Sequence, residues 1–121
     1  MNDLNQISKI IVGAAFEVSN RLGCGFLEKV YHNALIVELI HQGLSIESQK
    51  MLPVYYRNEL VGEYFADILV ENKVIVELKT VKEIESIHFA QLLNYLKASN
   101  KTLGLLINFA KPKVEIKRVI N

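Results

Sequence analysis

The segment from residue 73 to residue 81 constrains the fold most strongly. It reads KVIVELKTV, a strand-forming run that is apolar apart from Glu77, Thr80 and the lysines. A strand of this composition is typical of the centre of a sheet that is covered on both faces, because a strand with one face in water alternates apolar and polar residues. The segment therefore indicates a layered α/β fold.

The spacing of apolar residues predicts the helices and strands of this fold. Apolar residues recur at three- and four-residue steps behind Asp3, a predicted N-cap, and again from about residue 26 to 42 and from about residue 85 to 98. These segments predict three helices. Strand patterns cover residues 45–49, 53–56, 60–70, 73–81, 102–109 and 114–120. The expected order is ααββββαββ, an α/β (α+β) mixed sheet in which the strand after the third helix can pair in parallel with an earlier one.

Composition bounds the class of protein. A chain of 121 residues, 50% hydrophobic and 22% charged, is expected to form a single domain over residues 1–121. The one cysteine, Cys24, has no internal partner, and the segment MNDLNQISK lacks the features of a signal peptide, so the expected location is cytoplasmic. The apolar runs are far shorter than the roughly 20 residues of a membrane span, and no membrane association is expected.

Charge is unevenly distributed although the net charge is only +1. Residues 59–85 carry seven acidic and three basic residues, whereas residues 97–121 carry one acidic and six basic residues. A carboxylate-rich middle followed by a lysine-rich end fits a metal site beside a phosphate-binding surface. Taken alone, the charge pattern fits two solvated faces better.

The two charged residues inside the central strand are the first candidate site. Glu77 and Lys79 lie two apart, so on a strand they project from the same face. Asp67 lies among apolar residues of the preceding strand, and a turn at Glu71 and Asn72 folds that strand back. Residues equidistant from the turn sum to about 143, which places Asp67 opposite about Val76 and within reach of Glu77.

Two buried carboxylates that lie close together repel each other, so they either take up protons or hold a cation. Hard oxygen ligands of this kind suit Mg²⁺ or Mn²⁺, and the neighbouring Lys79 would then position an attacking water. The alternative is an ion pair of Lys79 with Glu77 or Asp67 that carries no chemistry.

Four motifs between residues 25 and 95 resemble those of a known family and follow its order along the chain. Asp67 followed by Glu77-Leu78-Lys79 resembles the signature of the PD-(D/E)XK nuclease superfamily, with Ala66 in place of its proline. The segment GFLEKVY at residues 25–31 matches the GxxExxY motif of a small bacterial family assigned to that superfamily. The segment QLLNY at residues 91–95 is similar to the QxxxY motif of the RecB-like and Cas4-like branch.

This resemblance implies a restriction-endonuclease-like sheet flanked by helices, catalysis with a divalent metal, and a nucleic-acid substrate, with DNA expected. It also implies which residues carry out catalysis, which bind the metal and which bind the substrate; three carboxylates belong to both of the first two groups. The catalytic set is Glu28, Asp67, Glu77 and Lys79; the metal ligands are Glu28, Asp67, Glu77 and the carbonyl of Leu78; the substrate-binding residues are Tyr31, Gln91 and Tyr95. His32, on the same helix face as Glu28, is expected to line the site.

Structural alternatives remain at two of these positions. Glu28 in the first turn of a helix also stabilises the helix dipole, and Tyr95 also suits packing of a helix on the sheet. At the level of function, the leading prediction is a Mg²⁺- or Mn²⁺-dependent nuclease, expected as a symmetric dimer. The alternatives are a nucleic-acid-binding module with little activity and a structural or regulatory subunit that docks onto a larger partner.

Overall fold

The computed structural model describes residues 3–121, so Met1 and Asn2 of the predicted 1–121 domain lie outside the described part. Three helices and five strands follow one another in the chain. They are α1 (Leu4–Leu22), α2 (Glu28–His41), β1 (Ile46–Tyr56), β2 (Glu59–Val70), β3 (Val74–Lys79), α3 (Ser86–Ser99), β4 (Leu103–Asn108) and β5 (Glu115–Ile120). Asp3 caps α1 as predicted, because its side chain accepts a hydrogen bond from the N–H of Asn5 at 2.9 Å.

The five strands form one mixed sheet in the order β1-β2-β3-β4-β5. β3 and β4 are parallel and joined by the crossover helix α3, and the other neighbours are antiparallel. β3 is therefore a central strand, and it is buried along its length except at Lys79. The predicted fold class, a mixed sheet flanked by helices, is confirmed.

One of the predicted strand boundaries is wrong. The runs at 45–49 and 53–56 form the single strand β1, so three strands, and not four, precede α3. Pro53 does not end the strand, because β1 pairs only with β2 and lies at the edge of the sheet, where a proline is tolerated.

Two cores cover the two faces of the sheet. On one face, α1 and α2 pack against alternate residues of the central strands, including Ile68, Val76 and Leu78. On the other face, α3 packs through Leu92 and Leu96 against residues that include Ile75 and Leu106. Within residues 3–121, no helix is long and apolar enough to cross a membrane.

β1 and β2 extend beyond the sheet as a two-stranded arm, which we define as residues 50–66. β3 pairs with β2 only at Ile68, Leu69 and Val70, so the arm has no partner strand on that side. Ile68 packs in the first core and Ala66 in the second, so β2 changes the face that it presents at Asp67. Gln49, in the strand beside it, has a left-handed φ of 52°. Asp67 thus lies where the arm leaves the sheet.

Candidate active site

Asp67 and Glu77 meet at the point where β2 and β3 separate. The N–H of Asp67 donates to Glu77 Oε2 at 2.6 Å, and the N–H of Leu78 donates to Asp67 Oδ2 at 2.8 Å. Where the two strands diverge, these side-chain hydrogen bonds replace the backbone hydrogen bonds between β2 and β3. Glu77 is only 4% exposed, and Asp67 is half-buried.

The predicted register differs by one residue from the structure. Ile68 pairs with Val76, so Asp67 is aligned with Glu77 and not with Val76. The connection contains three residues, since Lys73 also lies in the turn and its N–H donates to the carbonyl of Val70 at 2.9 Å. The longer turn brings the two carboxylates closer than the predicted pairing did.

Lys79 lies on the same strand as Glu77 but forms no ion pair with it or with Asp67 in the part of the chain that the structure describes. Its Nζ donates to Gln91 Oε1 on α3 at 3.3 Å. Tyr95 lies one turn later on the same helix, and it lines one cavity together with Gln91. The simple ion-pair alternative is therefore wrong. α3 instead supplies a side chain that holds the ammonium group beside the two carboxylates.

Tyr95 is both a packing residue and a neighbour of the carboxylates. Its ring contacts the ring of Tyr64 on the arm, with centroids 5.1 Å apart. Burial and the negative charges of Glu77 and Asp67 raise the pKa of the Tyr95 hydroxyl. The hydroxyl is therefore close enough to these carboxylates to respond to their charge.

The loop before α2 explains the position of Glu28. Gly23 and Gly25 have φ values of 73° and 110°, which favour glycine, and they allow the chain to turn sharply into the helix. The hydroxyl of Tyr31 donates to the carbonyl of Gly23 at 2.5 Å and accepts from the N–H of Phe26 at 3.2 Å. These bonds fix the start of α2, where Glu28 occupies the first turn.

Tyr31 was predicted to bind substrate, and the structure contradicts that role. Its side chain is 0% exposed and stacks on Phe109, with ring centroids 4.7 Å apart. Because both the ring and the hydroxyl are already engaged inside the protein, Tyr31 acts as a structural clamp for the loop that carries Glu28.

Glu28 lies in the same region and lines a cavity together with Asp67. Partial burial and then the charge of Asp67 raise the pKa of Glu28, while Lys79 and His32 act in the opposite direction. Thr80, the residue after β3, also lowers the pKa of Glu28, so the Glu28 carboxyl group lies near the end of that strand.

All three carboxyl groups are held in an environment that favours protonation. Burial, followed by the charge of Asp67, raises the pKa of Glu77 to about 8, and burial raises the pKa of Asp67. The charge of Lys79 lowers the pKa of all three groups but does not outweigh burial. The protein thus concentrates negative charge without supplying enough positive charge to compensate it.

The donor set suits a hard divalent cation, but the predicted cage is not assembled. Among residues 3–121, no group of three or more His, Cys, Asp or Glu side chains lies close enough together to hold a metal ion as placed. One oxygen of Asp67 and one of Glu77 accept backbone N–H groups. The other two oxygens accept no hydrogen bond from the described residues, and neither is a buried atom without a partner, so both are available from solvent.

Comparison with known proteins identifies the family. A family model described as the PD-(D/E)XK nuclease superfamily matches residues 5–119. The chain belongs to the PD-(D/E)XK nuclease superfamily. A search of curated proteins finds no match. The fold is similar to that in the crystal structure of SSO0001, with a TM-score of 0.59 and 17% sequence identity over 97% of this chain. The chain spans 59% of the length of that protein.

Three residues resemble the superfamily signature. They are Asp67 at the end of the arm, Glu77 in β3, and Lys79, the last residue of that strand. Ala66 stands in place of the signature proline and pairs with Lys50 in the β1–β2 ladder. The two carboxylates are held by their hydrogen bonds to the N–H groups of Asp67 and Leu78, and neither bond involves residue 66.

His32 lines the site, as its position after Glu28 predicted. A cavity of about 480 Å³ is lined by residues that include Glu28, His32, Ser48 and Asp67. His32 Nε2 lies 3.2 Å from the carbonyl oxygen of Asp67. Because a carbonyl only accepts, this nitrogen carries the proton. The imidazole thereby connects α2 to the strand that bears Asp67.

Asn108 is a site residue that the sequence did not reveal. It is 0% exposed at the end of β4, and its Oδ1 accepts from the N–H of Val81 at 3.1 Å and of Ala110 at 3.1 Å. Its Nδ2 donates to the carbonyl of Val81 at 2.8 Å and to Glu115 Oε1 at 3.3 Å. These bonds hold Val81, two residues after Lys79. A buried asparagine within the apolar run LGLLINF was the available signal.

Proposed function

We propose that the protein is a divalent-metal-dependent nuclease that hydrolyses phosphodiester bonds, with DNA as its substrate. The observation that carries this proposal is the pairing of Asp67 with Glu77 at the end of the arm, with Lys79 held beside them by α3. Membership of the PD-(D/E)XK nuclease superfamily supports the reaction class.

Asp67 and Glu77 would hold the metal, with the Leu78 carbonyl and Glu28 completing the set. The N–H of Leu78 points towards β2, and in an extended strand the carbonyl of the same residue points to the same edge. A bound Mg²⁺ or Mn²⁺ would neutralise phosphate charge and lower the pKa of a water molecule. The raised pKa values of the three carboxyl groups support cation binding, since a cation supplies the positive charge that the site lacks.

Lys79 positions the attacking water and stabilises the negative charge that develops on the phosphate during in-line displacement. Gln91 keeps the ammonium group in place through its 3.3 Å hydrogen bond. Gln91 is thus a positioning residue that acts through Lys79. Its exposed location also allows it to contact a phosphate, as predicted from the sequence.

The structure of the loop before α2 supports assignment of the chain to the GxxExxY family within the QxxxY branch. Gly25 provides the turn, Glu28 the carboxylate, and Tyr31 the clamp that fixes the loop. Each of the three motif positions has a separate physical task in presenting Glu28. Gln91 has the corresponding task for Lys79.

Metal binding and cleavage test the proposal together. We would titrate Mn²⁺ into the wild-type protein and Asp67→Asn by calorimetry, and incubate the wild type with labelled single-stranded DNA, duplex DNA and RNA in Mg²⁺, Mn²⁺ or EDTA. The proposal predicts binding that is lost in the variant, and DNA cleavage that EDTA abolishes. Metal binding without cleavage of any substrate would overturn it in favour of a nucleic-acid-binding module.

A further inference from the structure

A groove runs along α3 away from the candidate active site. Its first part, of about 330 Å³, is lined by residues that include Gln91, Tyr95, Asn94 and Tyr64. Its second part, of about 470 Å³, shares Asn94 and Tyr64 with the first and continues to Tyr55 and Lys97. α3 forms one wall and the arm forms the other.

The groove begins at residues of the active site. Gln91 holds Lys79, and Tyr95 responds to the charges of Glu77 and Asp67. From His88 to Lys97 the helix wall extends for about 14 Å at a rise of 1.5 Å per residue. A chain whose phosphate lies at Lys79 therefore has a direct path along this wall to the arm.

The chemistry of the groove differs from that of the carboxylate site. Its lining contains three tyrosines, two side-chain amides, a histidine and Lys97, but no carboxylate, although the chain has thirteen. Lys97 forms no ion pair with any residue from 3 to 121, so its charge is available to an anion. Aromatic rings, amides and a free cation along one path are the features that bind unpaired bases and their phosphates.

We infer that this groove binds an unpaired segment of the substrate next to the scissile phosphate, with a base against Tyr55 and a phosphate at Lys97. The inference rests on the proposed nuclease function and specifies its substrate as nucleic acid with a single-stranded segment. A duplex does not meet this requirement, because its bases are stacked and paired and cannot lie flat on the tyrosine rings.

The arm offers a matched pair of variants for the test. Tyr55 and Tyr56 are adjacent and are 63% and 64% exposed, but only Tyr55 lines the groove. We would measure binding of a fluorescent single-stranded oligonucleotide and of the matching duplex by anisotropy in EDTA. The proteins are the wild type, Tyr55→Ala, Tyr55→Phe, Tyr56→Ala, Lys97→Ala and Lys9→Ala.

Tyr55→Ala is expected to weaken single-strand binding about 5- to 150-fold, the range for loss of one base–aromatic stack, and Tyr55→Phe to restore it. Lys97→Ala is expected to reduce the salt dependence of binding by about one phosphate contact. Tyr56→Ala and Lys9→Ala are expected to bind as the wild type does. In metal-dependent cleavage of single-stranded DNA, Tyr55→Ala should raise KM and leave kcat unchanged.

Two results would overturn the inference. One is equal single-strand affinity of Tyr55→Ala and Tyr56→Ala; the other is duplex binding as tight as single-strand binding. If cleavage still requires metal and Lys79 under either result, the nuclease function stands and only the groove assignment fails. Single-strand binding that depends on Tyr55 in a protein without metal-dependent cleavage would support the groove and contradict the nuclease function. If a fluorescent peptide binds in a way that depends on Tyr55 and oligonucleotides do not, the ligand of the groove is a peptide and the inference is wrong.

Discussion

Glu77 is the residue on which the electrostatics of the site depend most. It is 4% exposed, and burial and Asp67 raise its pKa to about 8, whereas a glutamate in the unfolded chain titrates near 4.5. Between these values the folded protein holds a proton that the unfolded chain has lost. The free energy of unfolding of the metal-free protein should therefore fall as the pH rises from about 4.5 to about 8.

The Glu77→Gln variant tests this prediction. We expect the wild type in EDTA to lose on the order of 2–4 kcal/mol between pH 5 and pH 8, and the variant to lose much less, because it has no proton to release. Urea unfolding at the two pH values measures the difference. Glu63→Gln, an exposed carboxylate on the arm, should behave as the wild type. Equal pH dependence of the two variants would show that Glu77 titrates normally.

Asn108 carries a second prediction at this scale. An Asn108→Leu variant retains the branched shape of the side chain but leaves the part-buried backbone groups of Val81 and the N–H of Ala110 without their partner. Each unsatisfied buried group costs about 1–3 kcal/mol, so the variant should be at least 3 kcal/mol less stable by urea unfolding. Ile107→Val, the neighbouring position in β4, should lose only about 1 kcal/mol. A loss in Asn108→Leu no larger than in Ile107→Val would contradict the clamp.

At the scale of elements, the start of α2 is fixed by one hydroxyl group. Tyr31→Phe removes the bonds to Gly23 and Phe26 and retains the ring stacked on Phe109. We expect a loss of about 1–2 kcal/mol in urea unfolding and weaker Mn²⁺ binding by calorimetry, because Glu28 is held less firmly. Val30→Ala, on the exposed side of α2, is the control for both measurements. Unchanged Mn²⁺ affinity in Tyr31→Phe would show that the loop before α2 does not contribute to metal binding.

The sequence predicted the elements well where local patterns determine them. The helical period placed α1, α2 and α3 within about two residues of their ends, and the apolar run of β3 identified the central strand. Gln91 and Tyr95, four residues apart, line one cavity beside α3, as their helical spacing predicts. These features depend on residues that are near one another in the chain.

The remaining features depend on contacts between distant segments. Tyr31 shares a helix with Glu28, and only the fold of the preceding loop determines that its hydroxyl is bonded internally. Asn108 is 27 residues from Val81, and its role follows from the parallel pairing of β3 and β4. The register of Asp67 depends on a third turn residue, Lys73, which a count of turn-forming residues does not identify.

At the scale of the whole molecule, the metal should act as a stabilising ligand. We expect Mn²⁺ to raise the thermal unfolding midpoint of the wild type, since a ligand at about 100 times its Kd adds about 2.7 kcal/mol. The increase should be larger at pH 8 than at pH 5, because the carboxyl groups must lose their protons to bind the ion. Differential scanning calorimetry with Mn²⁺ or EDTA measures it. If Mn²⁺ raises the unfolding midpoint of Asp67→Asn by the same amount, the ion binds at a site that does not include Asp67.

The most direct measurement of the central claim is the single-turnover rate of single-stranded DNA cleavage in Mn²⁺ by the wild type, Lys79→Ala and Lys9→Ala. Lys9 is an exposed lysine on α1 and controls for the loss of one positive charge. We predict that Lys79→Ala lowers the rate at least about 100-fold without changing the unfolding midpoint, and that Lys9→Ala cleaves at the wild-type rate. Cleavage by Lys79→Ala at the wild-type rate would contradict the account.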